Sequence, residues 1–322
     1  MTRLRSREGQ HHPVRVARVA MATRFEVVLH GPRPEALRAA AEDALDEVGR
    51  VEQWLSPYLP ASSMARLHRE AHLHPIPVEP QVLAFLSLVA ELVHATDGAF
   101  DPTVGPLLRA WGFQGGDPAL PDPSAIPEAR SRVGWHLVEL DPRACSVRFR
   151  APGVEIHPGA IGKGWALDRA AAVLRESGVE SALLHGGSSS VVAIGSPPGA
   201  PSWRVALDSG PASPSGAAPA SPATLVDLKD ESLSVSAAWG RSSDGPAHVL
   251  DPRTGHPVPA GTMAAVVLPE AARSDAWSTA LLVDRERGPG MLQALHPGAR
   301  CWTSCWLGNG MTRRIDATPR HG

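Results

Sequence analysis

The chain has 322 residues, with 31 Lys and Arg against 33 Asp and Glu and a formal net charge of -2. That balance excludes the broad basic field of a nucleic-acid binder and leaves any phosphate ligand to a local site. At this length roughly three quarters of the unfolded surface can be buried, about two domains' worth, so no staple is required; three cysteines, Cys145, Cys301 and Cys305, are too few for a disulfide framework and read as ordinary buried or partly buried thiols.

From the N-terminus, Arg15, Arg18 and Arg24 interrupt any secretory apolar run. No window reaches the roughly 18 apolar residues of a membrane span. As the sequence stands, the expectation is a soluble cytoplasmic protein, exported only if the true start lies upstream. Residues 14–30 alternate apolar and polar side chains on both sides of Met21-Ala22-Thr23, which predicts two strands around a turn. PEALRAAAEDALDEVGRVEQWLS has apolar residues at helical spacing and a Pro near its start, so a long amphipathic helix follows. QVLAFLSLVAELVHATDG repeats the pattern and stops at Gly98.

Beyond a Pro-rich stretch at residues 117–127 and some short strand-like runs, GAIGKGWALDRAAAVLRESG reads as a glycine-rich turn opening a helix, and SALLHGGSSSVVAIG as a buried hairpin. Residues 208–224 are rich in Pro, Ala and Ser and predict a flexible insertion loop with little to bury. Strands are expected around SLSVSAAW and AHVLDP, then a turn at PRTG, and SDAWSTALLV predicts a further helix. No internal repeat interrupts this order.

Some of these segments carry candidate chemistry. On a helix, Asp275 and Thr279 share a face and would offer a carboxylate and a hydroxyl to a hard cation. The alternative is that Ser274 or Asp275 caps the helix while Thr279 packs into it. The glycines of GAIGKGWALD allow close backbone approach, and Lys163 adds a point charge near a helix N-terminus, which suits an anion, although such turns are often merely tight. It is not a Walker loop, because the GxxxxGK[ST] spacing is missing. His248, at a strand end before a turn, suits a general base because imidazoles titrate near neutral pH, although in a chain with 14 histidines any one of them chosen on composition is more often structural. Asp101 and Asp251 each precede a proline and suit turn formation; beside Asp101, small and aromatic residues would floor a flat ring.

In order, MATRFEVVLHG, LSPYLPASSMARLHRE, TDGAFDPTVGPLLRAWGF, GAIGKGWALDRAA, LLHGGSSSVVAIG, SVSAAW, HVLDPRTGHPV and SDAWSTALLV resemble the ApbE family of FAD:protein FMN transferases. The resemblance runs from about residue 18 to about 285. It implies an α+β fold with mixed sheets flanked by helices, in two lobes with an FAD cleft between them. Residues 1–17 would be an N-terminal tail, 18–285 the flavin transferase domain, and 286–322 an extension completing it and ending in a mobile tail.

Carried over by position, the resemblance implies Mg2+ on the Ala160 carbonyl, Asp275 and Thr279. It implies FAD contacts at Met21, Tyr58, Ala99, Phe100, Asp101, Lys163 and near Val249, with His248 beside the reacting diphosphate. The implied reaction moves FMN from FAD, the substrate, to a Ser or Thr hydroxyl of an acceptor flavoprotein and releases AMP. The rival readings are an FAD pyrophosphatase giving FMN and AMP, and a flavin-binding protein without turnover. The chain departs from the family's usual pattern in four places. It has His157-Pro158-Gly159 for Asp-Leu-Gly, His185 and Ser188 around the Gly-Gly pair for Asn and Asp, His68 for Asn, and Ser236-Ala237-Ala238-Trp239 for Ser-Gly-x-Tyr.

Overall fold

In the computed structural model, the described residues are 12–114, 121–122, 124–207, 224–238, 248–307 and 311–317. The chain opens with a hairpin of β1 (Val14–Ala20) and β2 (Thr23–Leu29). Met21 and Ala22 both take left-handed backbone, φ 50° and 56°, as a tight two-residue hairpin turn needs. The stretch expected to be a tail is therefore already paired by Val14, which faces Leu29.

Helix α1 (Pro34–Leu55) starts at a proline and buries Ala41, Ala44, Leu45, Val48, Val51 and Leu55 along one stripe. α2 (Ser63–Glu70) is capped by the Ser62 hydroxyl, which accepts from the Ala65 N–H at 3.0 Å. After β3 (Ile76–Pro77), α3 (Pro80–Ala95) stops where Asp97 and Gly98 turn left-handed, releasing the loop that carries Asp101. Then come α4 (Gly105–Ala110), α5 (Ala125–Arg130), β4 (Val138–Asp141) and β5 (Ser146–Phe149). α6 (Gly162–Glu176) leads to the predicted hairpin, β6 (Ala182–Gly186) and β7 (Ser190–Ile194).

β8 (Trp203–Leu207) and β9 (Thr224–Leu228) form a two-stranded ribbon, and β10 (Ser232–Ala237) and β11 (Thr262–Leu268) follow. α7 (Ala271–Val283), α8 (Gly288–Leu295), β12 (Arg300–Leu307) and β13 (Met311–Ala317) are the last described elements. Except for Thr224, which opens β9, the expected insertion loop lies outside the described residues, as do Trp239 and residues 318–322. Among the described residues, AHVLDP forms no strand. Its described part makes one isolated bridge, Leu250 to Pro257, and leads into the turn fixed by Asp251.

One eight-stranded sheet runs β1-β2-β6-β7-β10-β11-β12-β13. Every strand pair in it is antiparallel, and beside the hairpins β1–β2 and β6–β7 long connections bring β6 next to β2 and β10 next to β7. α1, α6 and α7 pack on one face, and the β8–β9 ribbon packs on the other through Trp203, Leu207, Val226 and Leu228. β11 lies between these layers, which is why all of TMAAVVL is buried instead of alternating. A separate apolar cluster joins Leu107, Trp111, Ile126, Ala129 and Leu250 around α4 and α5. Among the described residues no helix is long and apolar enough to cross a membrane.

Candidate active site

Between the main core and the α4–α5 cluster lies a cavity of about 420 Å³. Tyr58, Ala99, Phe100, Asp101, Ala160, Lys163, His248, Val249, Asp275 and Thr279 all line it. Met21 does not. It borders an adjoining cavity of about 190 Å³, which shares Tyr58, His157, Gly159 and Lys163 with the first.

The oxygen-rich side is built where α6 crosses α7. Gly164 permits the crossing, since a Cβ there would stand 2.2 Å from the Ala271 carbonyl oxygen. With the helices this close, the Gly164 N–H donates to Asp275 Oδ2 at 3.1 Å, and the Ser190 hydroxyl of β7 approaches Oδ1 at 3.4 Å. Lys163 Nζ stands 3.8 Å from Oδ2, so the 2%-exposed carboxylate has a cation beside it. Neither Ser274 nor Asp275 caps α7, whose N-cap is Glu270, four residues before Ser274 and five before Asp275. The cap comes from α6: the Asp168 carboxylate accepts from the Ala271 and Ala272 N–H groups, both at 2.8 Å. Burial pushes the Asp168 carboxyl up to about 6 despite these donors. Thr279 Oγ1 lies 3.1 Å from Ser236 Oγ, which in turn lies 2.7 Å from Ser278 Oγ.

The opposite wall is made of loops. Asp101 accepts from the Thr103 N–H and hydroxyl at 2.9 and 2.7 Å and from the Trp135 N–H at 2.9 Å, so its carboxylate fixes the loop that presents Ala99 and Phe100. Burial pushes this carboxyl up while those donors pull it down. Tyr58 is 67% exposed, and its hydroxyl lies 3.0 Å from His157 Nε2. Burial, with Lys163 adding to it, holds His157 below the ordinary histidine range. His68 accepts from the Ile156 N–H at 2.9 Å, and burial lowers it to about 4, so it steadies the segment before His157. His248 is exposed at the cavity's edge.

The ApbE family model matches residues 21–302. This chain belongs to the ApbE family. A relative from Klebsiella pneumoniae (strain 342), named FAD:protein FMN transferase, is 31% identical over 261 residues, covering 78% of this chain and 72% of its own. Among solved structures, the ApbE protein of Thermotoga maritima superposes with a TM-score of 0.79 at 26% identity, covering 94% of this chain and 97% of that one. The apo form of Pseudomonas stutzeri flavinyl transferase ApbE gives 0.78 at 25% identity over 94% of each chain.

Within this ApbE fold, two of the departures read from the sequence touch the cavity: His157 through Tyr58, and the SVSAAW block through Ser236 and Ala237. His185 turns back on its own hairpin, with Nδ1 at 3.3 Å from the Gly187 carbonyl, and Ser188 is an exposed turn residue. Sequence reasoning missed Leu108, Phe113, Gln114 and Ser189 on the cavity wall. Leu108 and Phe113 fell inside a recognised block, but nothing in their spacing set them apart. It also missed Asp168, which along the sequence is one more acid on a helix.

Proposed function

We propose that this chain transfers FMN from FAD to a Ser or Thr hydroxyl of an acceptor flavoprotein and releases AMP. The observation that carries the reading is the convergence of all the resemblance-derived positions except Met21 on one cavity. The relatives' shared name gives it the reaction.

Asp275, Thr279 and the Ala160 carbonyl are hard oxygen donors lining that cavity, with no cysteine among the described residues that line it, a set that fits magnesium better than zinc. These three would hold a magnesium ion, which when bound offsets the negative charge of the diphosphate. Lys163 contributes a second positive charge, held over the turn by its bond to the Gly159 carbonyl at 3.2 Å. Phosphoryl transfer is mostly positioning and charge stabilisation, and these residues supply both. The acceptor oxygen bonds to the FMN phosphorus, the bond from that phosphorus to the bridging oxygen breaks, and AMP leaves with that oxygen. His248 is assigned the hydroxyl proton.

The test is to mix the protein with FAD and magnesium, with and without an apo-flavoprotein acceptor, and to follow AMP and protein-bound flavin. AMP together with covalently labelled acceptor supports the transferase. AMP and free FMN without acceptor would make it a pyrophosphatase, and bound FAD with no AMP would make it a flavin-binding protein.

A further inference from the structure

Three loops meet at His157. Its backbone N–H donates to the Pro102 carbonyl at 2.6 Å, next to Asp101. Its Nε2 lies 3.0 Å from the Tyr58 hydroxyl, and the two rings meet edge to face with centroids 6.1 Å apart. Its Nδ1 accepts from the Gly159 N–H at 3.4 Å. Gly159 leaves room for the ring, since a Cβ there would stand 2.9 Å from Cε1 and 3.0 Å from Nδ1. The same turn holds Lys163 through the Gly159 carbonyl.

These contacts fix the tautomer. An amide N–H only donates, so Nδ1 carries the lone pair, and in a neutral imidazole the proton then sits on Nε2. Nε2–H therefore donates to the Tyr58 oxygen. The phenol's own proton has no acceptor on His157 and is left for another partner. Tyr58 and His157 both border the two cavities, so whatever spans the seam between them meets this hydroxyl.

We infer that His157 is a positioning residue for substrate binding: it holds Tyr58 at the seam between the two cavities, with the phenol hydroxyl turned to donate to an acceptor atom of the bound dinucleotide. This rests on the reading of the cavity as an FAD site. It gives the imidazole a task that a carboxylate at the same position cannot perform, because an ionised carboxylate has no proton to donate and would instead draw the phenol's proton to itself.

The test is FAD affinity of the full chain, read by flavin fluorescence without magnesium so that no turnover intervenes. His157→Leu and Tyr58→Phe should each weaken binding about three- to tenfold, the effect of losing one such hydrogen bond. His157→Gln, whose amide keeps an N–H donor near the Nε2 position, should stay within about twofold of wild type. In the Tyr58→Phe background, His157→Leu should cost almost nothing further. Equal loss in both backgrounds, or no loss in any variant, would overturn the assignment. Should His157→Leu not fold, the same comparison with His157→Ala decides, together with rescue by Gln. A wild-type chain that binds no FAD would overturn the functional reading itself, a result distinct from FAD binding that ignores His157.

Discussion

Replacing Asp275 by Asn separates charge from shape at the residue on which the proposed chemistry turns. The side chain is 2% exposed, accepts from the Gly164 N–H at 3.1 Å and faces the Ser190 hydroxyl at 3.4 Å. An amide keeps the first bond through its oxygen and donates to the serine through its nitrogen. The fold should therefore lose about 1 kcal/mol or less, a fall of roughly 1–2 °C or less in Tm for a chain of this size. The electrostatic change is larger. Lys163 Nζ lies 3.8 Å from Oδ2, an attraction of about 4 kcal/mol at an effective dielectric of about 20, before screening at the partly exposed lysine reduces it. Without that charge, Lys163 is released to the diphosphate, while the only carboxylate among the three proposed metal donors is gone. FAD affinity without magnesium should hold or rise, and magnesium-dependent AMP release should fall about 100-fold or more. The assay is AMP by chromatography across a magnesium titration, with Mn2+ binding followed by its paramagnetic signal. A wild-type magnesium response at unchanged Tm would refute the metal assignment.

Three further outcomes follow from the crossing of α6 and α7. Thr279→Val removes one oxygen at nearly constant volume and leaves Ser236 bonded to Ser278; the magnesium concentration for half-maximal AMP release should rise about tenfold, with Tm within a few degrees of wild type. Gly164→Ala places a Cβ 2.2 Å from the Ala271 carbonyl oxygen, so chemical denaturation should show a loss of about 2 kcal/mol even after the roughly 1 kcal/mol gained in helix propensity. Asp168 in the fold titrates at about 6 against an ordinary 3.8, so the fold favours its protonated form: that contribution is present below about pH 4 and is lost as pH rises through 6, up to about 3 kcal/mol. Urea titrations from pH 4 to 7 should therefore show Asp168→Asn gaining on wild type as pH rises, and a pH-independent difference would contradict the burial argument.

The long helices were legible because period and punctuation agreed: Pro34 opens α1, Gly98 follows the end of α3, and Gly162 opens α6. The short helices α4 and α5 barely repeat a turn, so period alone does not reveal them. β11 shows no alternation because both of its faces are covered, and its burial pattern exists only once α7 and the ribbon are in place. AHVLDP misled in the opposite way. Its apolar residues read as a strand, whereas Leu250 serves the α4–α5 cluster and Asp251 is taken by the turn, accepting from the Arg253 N–H at 2.9 Å. At the site, the spacing of Asp275 and Thr279 left capping and cation binding open, since either needs only one helical face. What separates them is a carboxylate 107 residues away in sequence: Asp168 already satisfies the first amides of α7, at a helix start that lies before Ser274. Asp275 is thereby freed from capping and sits a turn inside the helix, where its partners are the Gly164 amide and Lys163. The ligand pair is local in sequence, but the residue that makes it available for chemistry is not, and no reading of the SDAWSTALLV segment alone could have supplied it.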